Sequence, residues 1–222
     1  MSQSQELLHQ IALTLIDGVG DVLSKNLVAY CGSSEQVFKE KKSHLEKIPG
    51  IGSVVASKIM ASQHVLHRAE EEIEFINTNG ISALFFTDEK YPQRLKYCHD
   101  SPLLVYYKGN ADLNNSKIVS VVGTRTPSEY GKHMTEKLIK DLSHSGVLVV
   151  SGLAYGIDVL AHKESLSNNL DTVGVLAHGL DRLYPAAHTN YAKKMVQQGG
   201  LLTEFMSQTN PDRENFPKRN RI

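Results

Sequence analysis

Four short stretches of this chain combine glycine, hydroxyl and cationic side chains in the manner an anion-binding surface needs. The first is Gly123-Thr124-Arg125-Thr126-Pro127-Ser128-Glu129-Tyr130-Gly131. The second is Ser151-Gly152-Leu153-Ala154-Tyr155-Gly156-Ile157-Asp158, and the third His178-Gly179-Leu180-Asp181-Arg182-Leu183-Tyr184-Pro185. The fourth follows Thr203-Glu204 and holds Arg213, Phe216, Lys218, Arg219, Asn220 and Arg221. Glycine lets a backbone come close to a ligand, and a helix start leaves N–H groups bare, so each stretch can meet a phosphate through main chain as well as side chain. In the first, Thr126 and Glu129 have capping-box spacing around Pro127, which predicts a helix start there.

The chemistry can be narrowed further. Neither the Gly123-to-Gly131 nor the Gly152-to-Gly156 spacing is G-x-G-x-x-G, and no G-x-x-x-x-G-K-[ST] occurs, which argues against a dinucleotide or ATP. Asp158, Glu204, His162, His178 and Ser151 could serve hydrolysis, yet their spacing marks no triad or dyad, so capping and core-satisfying roles are expected and no catalytic residue is assigned. His64 and His67 are three apart without a third ligand, and Cys31 and Cys98 are isolated. No metal site, disulfide or cofactor is expected. A polymeric phosphate fits better, because it is recognised by dispersed cations, bare N–H groups and an aromatic for base stacking; Phe216, between Arg213 and Arg219, supplies that combination.

Such residues meet only if the elements between them gather the loops. From Ile81 onward short apolar runs alternate with helical stretches, which predicts an α/β layer structure with a mostly parallel sheet. Strands are expected at 81–87, 103–107, 118–123, 148–151, 173–177 and 201–204, and helices at 128–143, 157–168 and 190–198. Loops leaving the carboxyl ends of parallel strands share one edge, so all four stretches should line it.

Residues 6–76 read instead as helices with short breaks. Ile16-Asp17-Gly18-Val19-Gly20 and Ile48-Pro49-Gly50-Ile51-Gly52 repeat one pattern, a doubled helix-hairpin-helix signature. A small all-helical domain is therefore expected over residues 1–78, ahead of the α/β domain over 79–222. The last helix should end near Asn79-Gly80, where glycine can take a left-handed cap. With Lys25 and Lys58 the only well-placed cations and Asp17, Asp21 and Glu70-Glu71-Glu72 nearby, scaffold or protein contact is favoured over direct DNA contact for this module.

Charge sharpens that division. The 222 residues carry 24 basic and 24 acidic side chains, but the net charge is −3 over residues 1–80, 0 over 81–114 and +3 over 115–222. The balance of zero thus no longer counts against nucleic acid. With 41% hydrophobic and 22% charged residues the composition is that of an ordinary globular chain. No apolar run is long enough to cross a bilayer, and the N-terminus lacks the build of a signal peptide, so a cytoplasmic location and no membrane partner are expected.

In correct order, Tyr91-Pro92, Leu95, Asp100 and Pro102, Gly123-Thr124-Arg125 with Tyr130-Gly131, Ser151-Gly152 through Gly156-Ile157-Asp158 to Ala161-His162, Gly179 with Tyr184-Pro185, Glu204-Phe205, and Phe216 with Arg219-Asn220-Arg221-Ile222 resemble the bacterial DprA/Smf family over roughly residues 80–222. The doubled hairpin resembles the N-terminal domain of many members. The resemblance implies an extended Rossmann-like fold that dimerises and a non-enzymatic protein that binds single-stranded DNA. It further implies protection of incoming strands in natural transformation and loading of the RecA recombinase, with displacement of single-strand-binding protein. It carries the DNA-contacting role to Arg125 with Gly123 and Thr124, to Ser151, Gly152 and Gly156, and to Arg213, Phe216, Lys218, Arg219, Asn220 and Arg221. The alternative weighed is a nucleotide-binding enzyme of the phosphoribohydrolase type, whose Pro-Gly-Gly-x-Gly-Thr-x-x-Glu loop does not appear before Ile222. Family members continue beyond Arg-Asn-Arg-Ile, so a fragment with an incomplete sheet is the expectation here.

Overall fold

A computed structural model describes residues 3–222; Met1 and Ser2, at the head of the stretch read as lacking a signal peptide, lie outside the described residues. The chain divides into two compact units. One takes in the residues up to Gly80 together with Phe85–Asp88 and Arg94–Leu104, and the other takes in Ile81–Leu84, Glu89–Gln93 and Val105–Ile222.

The first unit is built from α1 (Gln3–Thr14), α2 (Asp21–Cys31), α3 (Ser34–Lys39), α4 (Lys42–Leu45), α5 (Ser53–Met60) and α6 (Val65–Asn79). The apolar three-and-four spacing buries Ile11, Leu13, Leu27, Val37, Leu45 and Ile59 almost completely. Both glycine pairs do the same local work. Gly18 and Gly50 take positive φ (80° and 85°), and Gly20 and Gly52 precede α2 and α5 with nearly identical extended backbone (φ −81°, ψ 176° and φ −82°, ψ 172°). The two cations singled out in this module are already engaged: Lys58 Nζ donates to Asp17 at 2.5 Å, and Lys25 Nζ to the carbonyl and hydroxyl of Ser101 at 2.5 and 2.6 Å. The unit's last helix ends as expected, with Gly80 left-handed at φ 61° and its N–H on the Ile76 carbonyl.

The second unit is organised by a six-stranded sheet of β1 (Ser82–Phe85), β2 (Leu104–Gly109), β3 (Ile118–Ser120), β4 (Leu148–Ser151), β5 (Thr172–Val175) and β6 (Gly199–Thr203), in the order β1-β2-β6-β5-β4-β3. β3 to β6 run parallel, while β2 lies antiparallel to β6 with Tyr106 opposite Thr203. This is the mostly parallel α/β sheet that the alternation of elements predicted. Between the parallel strands come α7 (Glu129–Leu142), α8 (Ile157–Ser167) and α9 (Thr189–Gln197), and the short α10 (Asn215–Arg219) follows β6. Val121, Ile139, Val149, Ile157 and Ala161 close one apolar cluster, and Leu153, Leu176, Ala192, Met195 and Leu201 the next.

The expected capping box is corrected. α7 begins at Glu129, and its cap is Ser128, whose Oγ accepts from the Gly131 N–H at 3.2 Å. Thr126 lies two residues ahead of the cap, its N–H on the Thr124 hydroxyl at 3.2 Å, and Glu129 turns to Lys132 at 2.6 Å rather than back toward residue 126.

Candidate functional site

The loops leaving β3, β4 and β5 and the segment after β6 meet at the carboxyl ends of the parallel strands. Gly123 and Arg125 come from the first loop, Ser151, Gly152 and Asp158 from the second, Val175 from the end of β5, and Arg219, Asn220 and Arg221 from the last segment. Together they line an open cavity of about 490 Å³, a size that admits a small ligand or one nucleotide of a longer strand. Beside it, Arg125 and Arg219 also border a narrower cleft with Tyr155, His178, Tyr184 and Phe216.

The first two loops are locked to each other through backbone. Ile157 N–H donates to the Thr124 carbonyl at 3.1 Å, and the Ser151 hydroxyl to the Val121 carbonyl at 2.6 Å. Gly156 holds φ 85°, and a Cβ there would stand 2.2 Å from the Thr124 oxygen; one at Gly123 would stand 2.6 Å from Ile157. Both glycines are therefore demanded by close approach of the two loops. Gly152 is demanded by side chains instead, since a Cβ would fall 2.5 Å from Asp158 Oδ2 and 2.7 Å from Arg219 Nη1.

Asp158 sits at the centre of this arrangement. Its buried carboxyl, in the first turn of α8, lies beside the Ala154 and Gly123 backbone and the Ser151 hydroxyl, each of which favours the charged form. Burial pushes its pKa above the usual carboxylate range, opposed by Arg219 and by those groups. Arg219 is half-buried. Burial pulls its guanidinium below the usual value, Asp158 opposes that, and Arg125 adds to it. Arg219 also donates to the Val175 carbonyl and, through Nε, to Asn220 Oδ1 at 3.0 Å. Arg221 pairs with Glu204. Arg125 is exposed. Of the arginines lining the cavity, Arg219 and Arg221 hold the loops in register as well as carrying charge, whereas Arg125 faces solvent.

The residues with acid–base potential have internal partners. His162 is fully buried between Thr172 Oγ1 and the Gly152 carbonyl. His178 accepts from the Tyr184 N–H at 3.2 Å and its other nitrogen faces the Gly179 carbonyl at 2.9 Å, so the ring is the neutral Nδ1–H form, and burial lowers its pKa. Ser151, Asp158 and Glu204 are engaged as described above. Among the described residues no group of three or more histidine, cysteine or carboxylate side chains is arranged to hold a metal ion.

Seven of the twelve residues singled out from sequence line the larger cavity: Gly123, Arg125, Ser151, Gly152, Arg219, Asn220 and Arg221. Phe216 lines the cleft beside it. Thr124 and Gly156 act through backbone, joining the loops. Arg213 and Lys218 line neither opening, and Lys218 lies 4.0 Å from Glu214 on the exposed side of α10. The N-terminus of α7, expected to contribute bare N–H groups, lines neither opening either; the contribution of this loop ends at Arg125. Sequence reasoning passed over Tyr155 and Tyr184, both about half exposed at the cleft, with the Tyr184 ring 6.1 Å from Phe216 in an edge-on arrangement. Their position at strand ends, one between the glycines of its loop and one before a proline, was the available signal.

A mostly parallel α/β sheet with cationic, glycine-bearing loops gathered at the carboxyl ends of its parallel strands belongs to the Rossmann-like class. The chain belongs to the DNA recombination-mediator protein A family, whose model matches residues 82–222. It is 33% identical over 225 residues to protein Smf of Synechocystis sp., covering 99% of this chain and 56% of that one. It is 36% identical over 144 residues to the DNA processing protein DprA of Bacillus subtilis, covering 64% and 48%. The crystal structure of DprA from Streptococcus pneumoniae superposes with a TM-score of 0.77 at 26% identity, covering 100% of this chain and 74% of that chain. DNA processing protein A from Helicobacter pylori, whose structure was described for its single-stranded DNA binding mode, gives a TM-score of 0.55 at 28% identity, covering 63% and 62%. The chain spans about half the length of the curated relatives it matches. No helix among the described residues is long and apolar enough to cross a membrane.

Proposed function

We propose that the strand-end cavity binds single-stranded DNA, with Arg125, Arg219 and Arg221 meeting phosphates, the backbone of the Gly123-Thr124 and Ser151–Gly156 loops approaching the strand, and Phe216 stacking on a base. Asn220 lines the same cavity, while Arg213 and Lys218 serve as outlying cations. The observation that carries this reading is the exposed Arg125, which borders both the cavity and the aromatic cleft of Phe216 and Tyr184. A strand lying there has its backbone over a cation and its bases over rings, which is how single strands are held without sequence readout. The protein acts as a binder, because Ser151, Asp158, His162, His178 and Glu204 all have partners within the fold.

In the cell the bound strand is protected and handed to a RecA-type recombinase, with single-strand-binding protein displaced, in the cytoplasm; the family resemblance supports these finer steps. The helical region at 1–78 serves as a scaffold or protein-docking module, supported by the engagement of Lys58 with Asp17 and of Lys25 with Ser101. Titrating a labelled oligonucleotide against the protein and its Arg125→Ala and Phe216→Ala variants tests the site. A severe loss of affinity in both with unfolding unchanged is expected, and unchanged affinity in both would overturn the reading. Recombinase loading is read from filament formation on oligonucleotides coated with single-strand-binding protein.

A further inference from the structure

Two consecutive carbonyls of the β4–α8 loop are each held by a buried imidazole. The Gly152 oxygen lies 2.5 Å from His162 Nε2, and the Leu153 oxygen 2.8 Å from His188 Nδ1. A carbonyl can only accept, so each of these ring nitrogens carries a proton and donates. The other nitrogen of His162 faces Thr172 Oγ1 at 2.7 Å, closer than the Val149 carbonyl at 3.1 Å from the same hydroxyl. In the neutral ring the Thr172 hydroxyl donates to Nδ1, which fixes the tautomer. Thr172 starts β5, and His162 lies on α8, so the ring ties strand, helix and loop at one point. The His188 ring in turn carries Tyr155 edge-on at 4.9 Å.

The position of Gly152 matters because of what lies on its other side. Its Cα supports the Arg219 guanidinium and the Asp158 carboxylate at distances that leave no space for a methyl group. We propose that His162 and His188 are positioning residues of the strand-end site, clamping the Gly152 and Leu153 carbonyls so that the loop presents Arg219 and Tyr155 to the bound strand. The clamp touches no ligand and acts through the loop. The link to the strand rests on the DNA-binding reading above, whereas the link from His162 to Arg219 does not.

Three variants separate the clamp from general stability. The side-chain nitrogen of glutamine reaches the place of Nε2, and that of asparagine the place of Nδ1. His162→Gln therefore keeps the donor to Gly152 and loses the Thr172 bond, His162→Asn does the reverse, and Thr172→Val deletes the Thr172 hydroxyl with its contact to the Val149 carbonyl while leaving the bond to Gly152 in place. The Arg219 Nε–H resonance in ¹⁵N-labelled full chain reports the site directly, and anisotropy of a fluorescent oligo-dT reports binding. In His162→Asn the resonance should move and affinity should fall at least tenfold. In His162→Gln and Thr172→Val the resonance should stay and affinity remain within threefold, even with the melting temperature lowered. Equal behaviour of the Gln and Asn variants, or a loss in Thr172→Val matching that in Asn, would overturn the clamp. A wild-type protein without affinity for the oligonucleotide overturns the DNA reading, while the resonance still decides the clamp.

Discussion

Arg219 lies on the bare Cα of Gly152, with a Cβ at that position placed 2.7 Å from its Nη1. Because Asp158 faces the same point at 2.5 Å, this one glycine sets the geometry between the β4–α8 loop and the last segment of the chain. Gly152→Ala must displace the ends of two side chains, the Asp158 carboxyl and the Arg219 guanidinium, and with the latter its bond to the Val175 carbonyl. Overpacking of this kind costs about 1–3 kcal/mol. The variant should melt earlier and lose oligonucleotide affinity beyond what reduced folding accounts for, seen by comparing thermal unfolding with binding at a temperature where the protein is fully folded.

Arg125 and Phe216 separate the two components of binding. Arg125 is exposed, so Arg125→Ala should leave stability within about 0.5 kcal/mol. If it meets one phosphate, the slope of log affinity against log salt should fall by about 0.7 for a single strand. Phe216→Ala should leave that slope unchanged and weaken binding by about 1–3 kcal/mol, the worth of one stacked base. Titrations at several salt concentrations distinguish the two, and an identical change of slope in both variants contradicts the assignment.

The buried histidine predicts a direction of pH dependence. Burial lowers the His162 pKa from 6.5 to about 4, with the neighbouring His188 adding to the effect when charged. Between those values the unfolded chain binds a proton that the folded one does not, so stability is fully present above pH 6.5 and declines as pH falls toward 4. The loss reaches about 3 kcal/mol at most from this group. Chemical unfolding between pH 7 and 4 should show the decline, and His162→Gln should flatten it.

Much of this was legible because two periodicities carry most of the information. The order of β3, α7, β4, α8, β5, α9 and β6 follows from apolar runs alternating with three-and-four spacing, and parallel connection then places the loops at 123–131 and 151–158 on one edge. Short-range competition was harder to see. Thr126 and Ser128 are both of a capping residue type, and only the bond from the Gly131 N–H to the Ser128 hydroxyl decides between them. Adjacency in sequence also misled: Lys218 and Arg219 are neighbours, but successive residues on α10 diverge by roughly 100°, sending one to solvent beside Glu214 and the other onto Gly152. Tyr155 and Tyr184 looked like ordinary loop aromatics, since nothing local marks a ring that tertiary structure will place at a cleft. The antiparallel placement of β2 beside β6 arises from long-range pairing, for which the sequence carries no local signal.

The doubled hairpin offers the remaining discrimination. Gly18 and Gly50 share one left-handed backbone, yet the Lys58 ammonium is held by Asp17, whose carboxyl the pair keeps below the usual carboxylate range. An ammonium so engaged, in a region of net charge −3, is poorly disposed to hold a phosphate backbone. Lys58→Gln should therefore leave oligonucleotide affinity and its salt slope as in the wild type, with Arg125→Ala measured alongside as the sensitive control. A loss in Lys58→Gln comparable to that in Arg125→Ala would move DNA contact into the helical region, and the scaffold role assigned to residues 1–78 would fall.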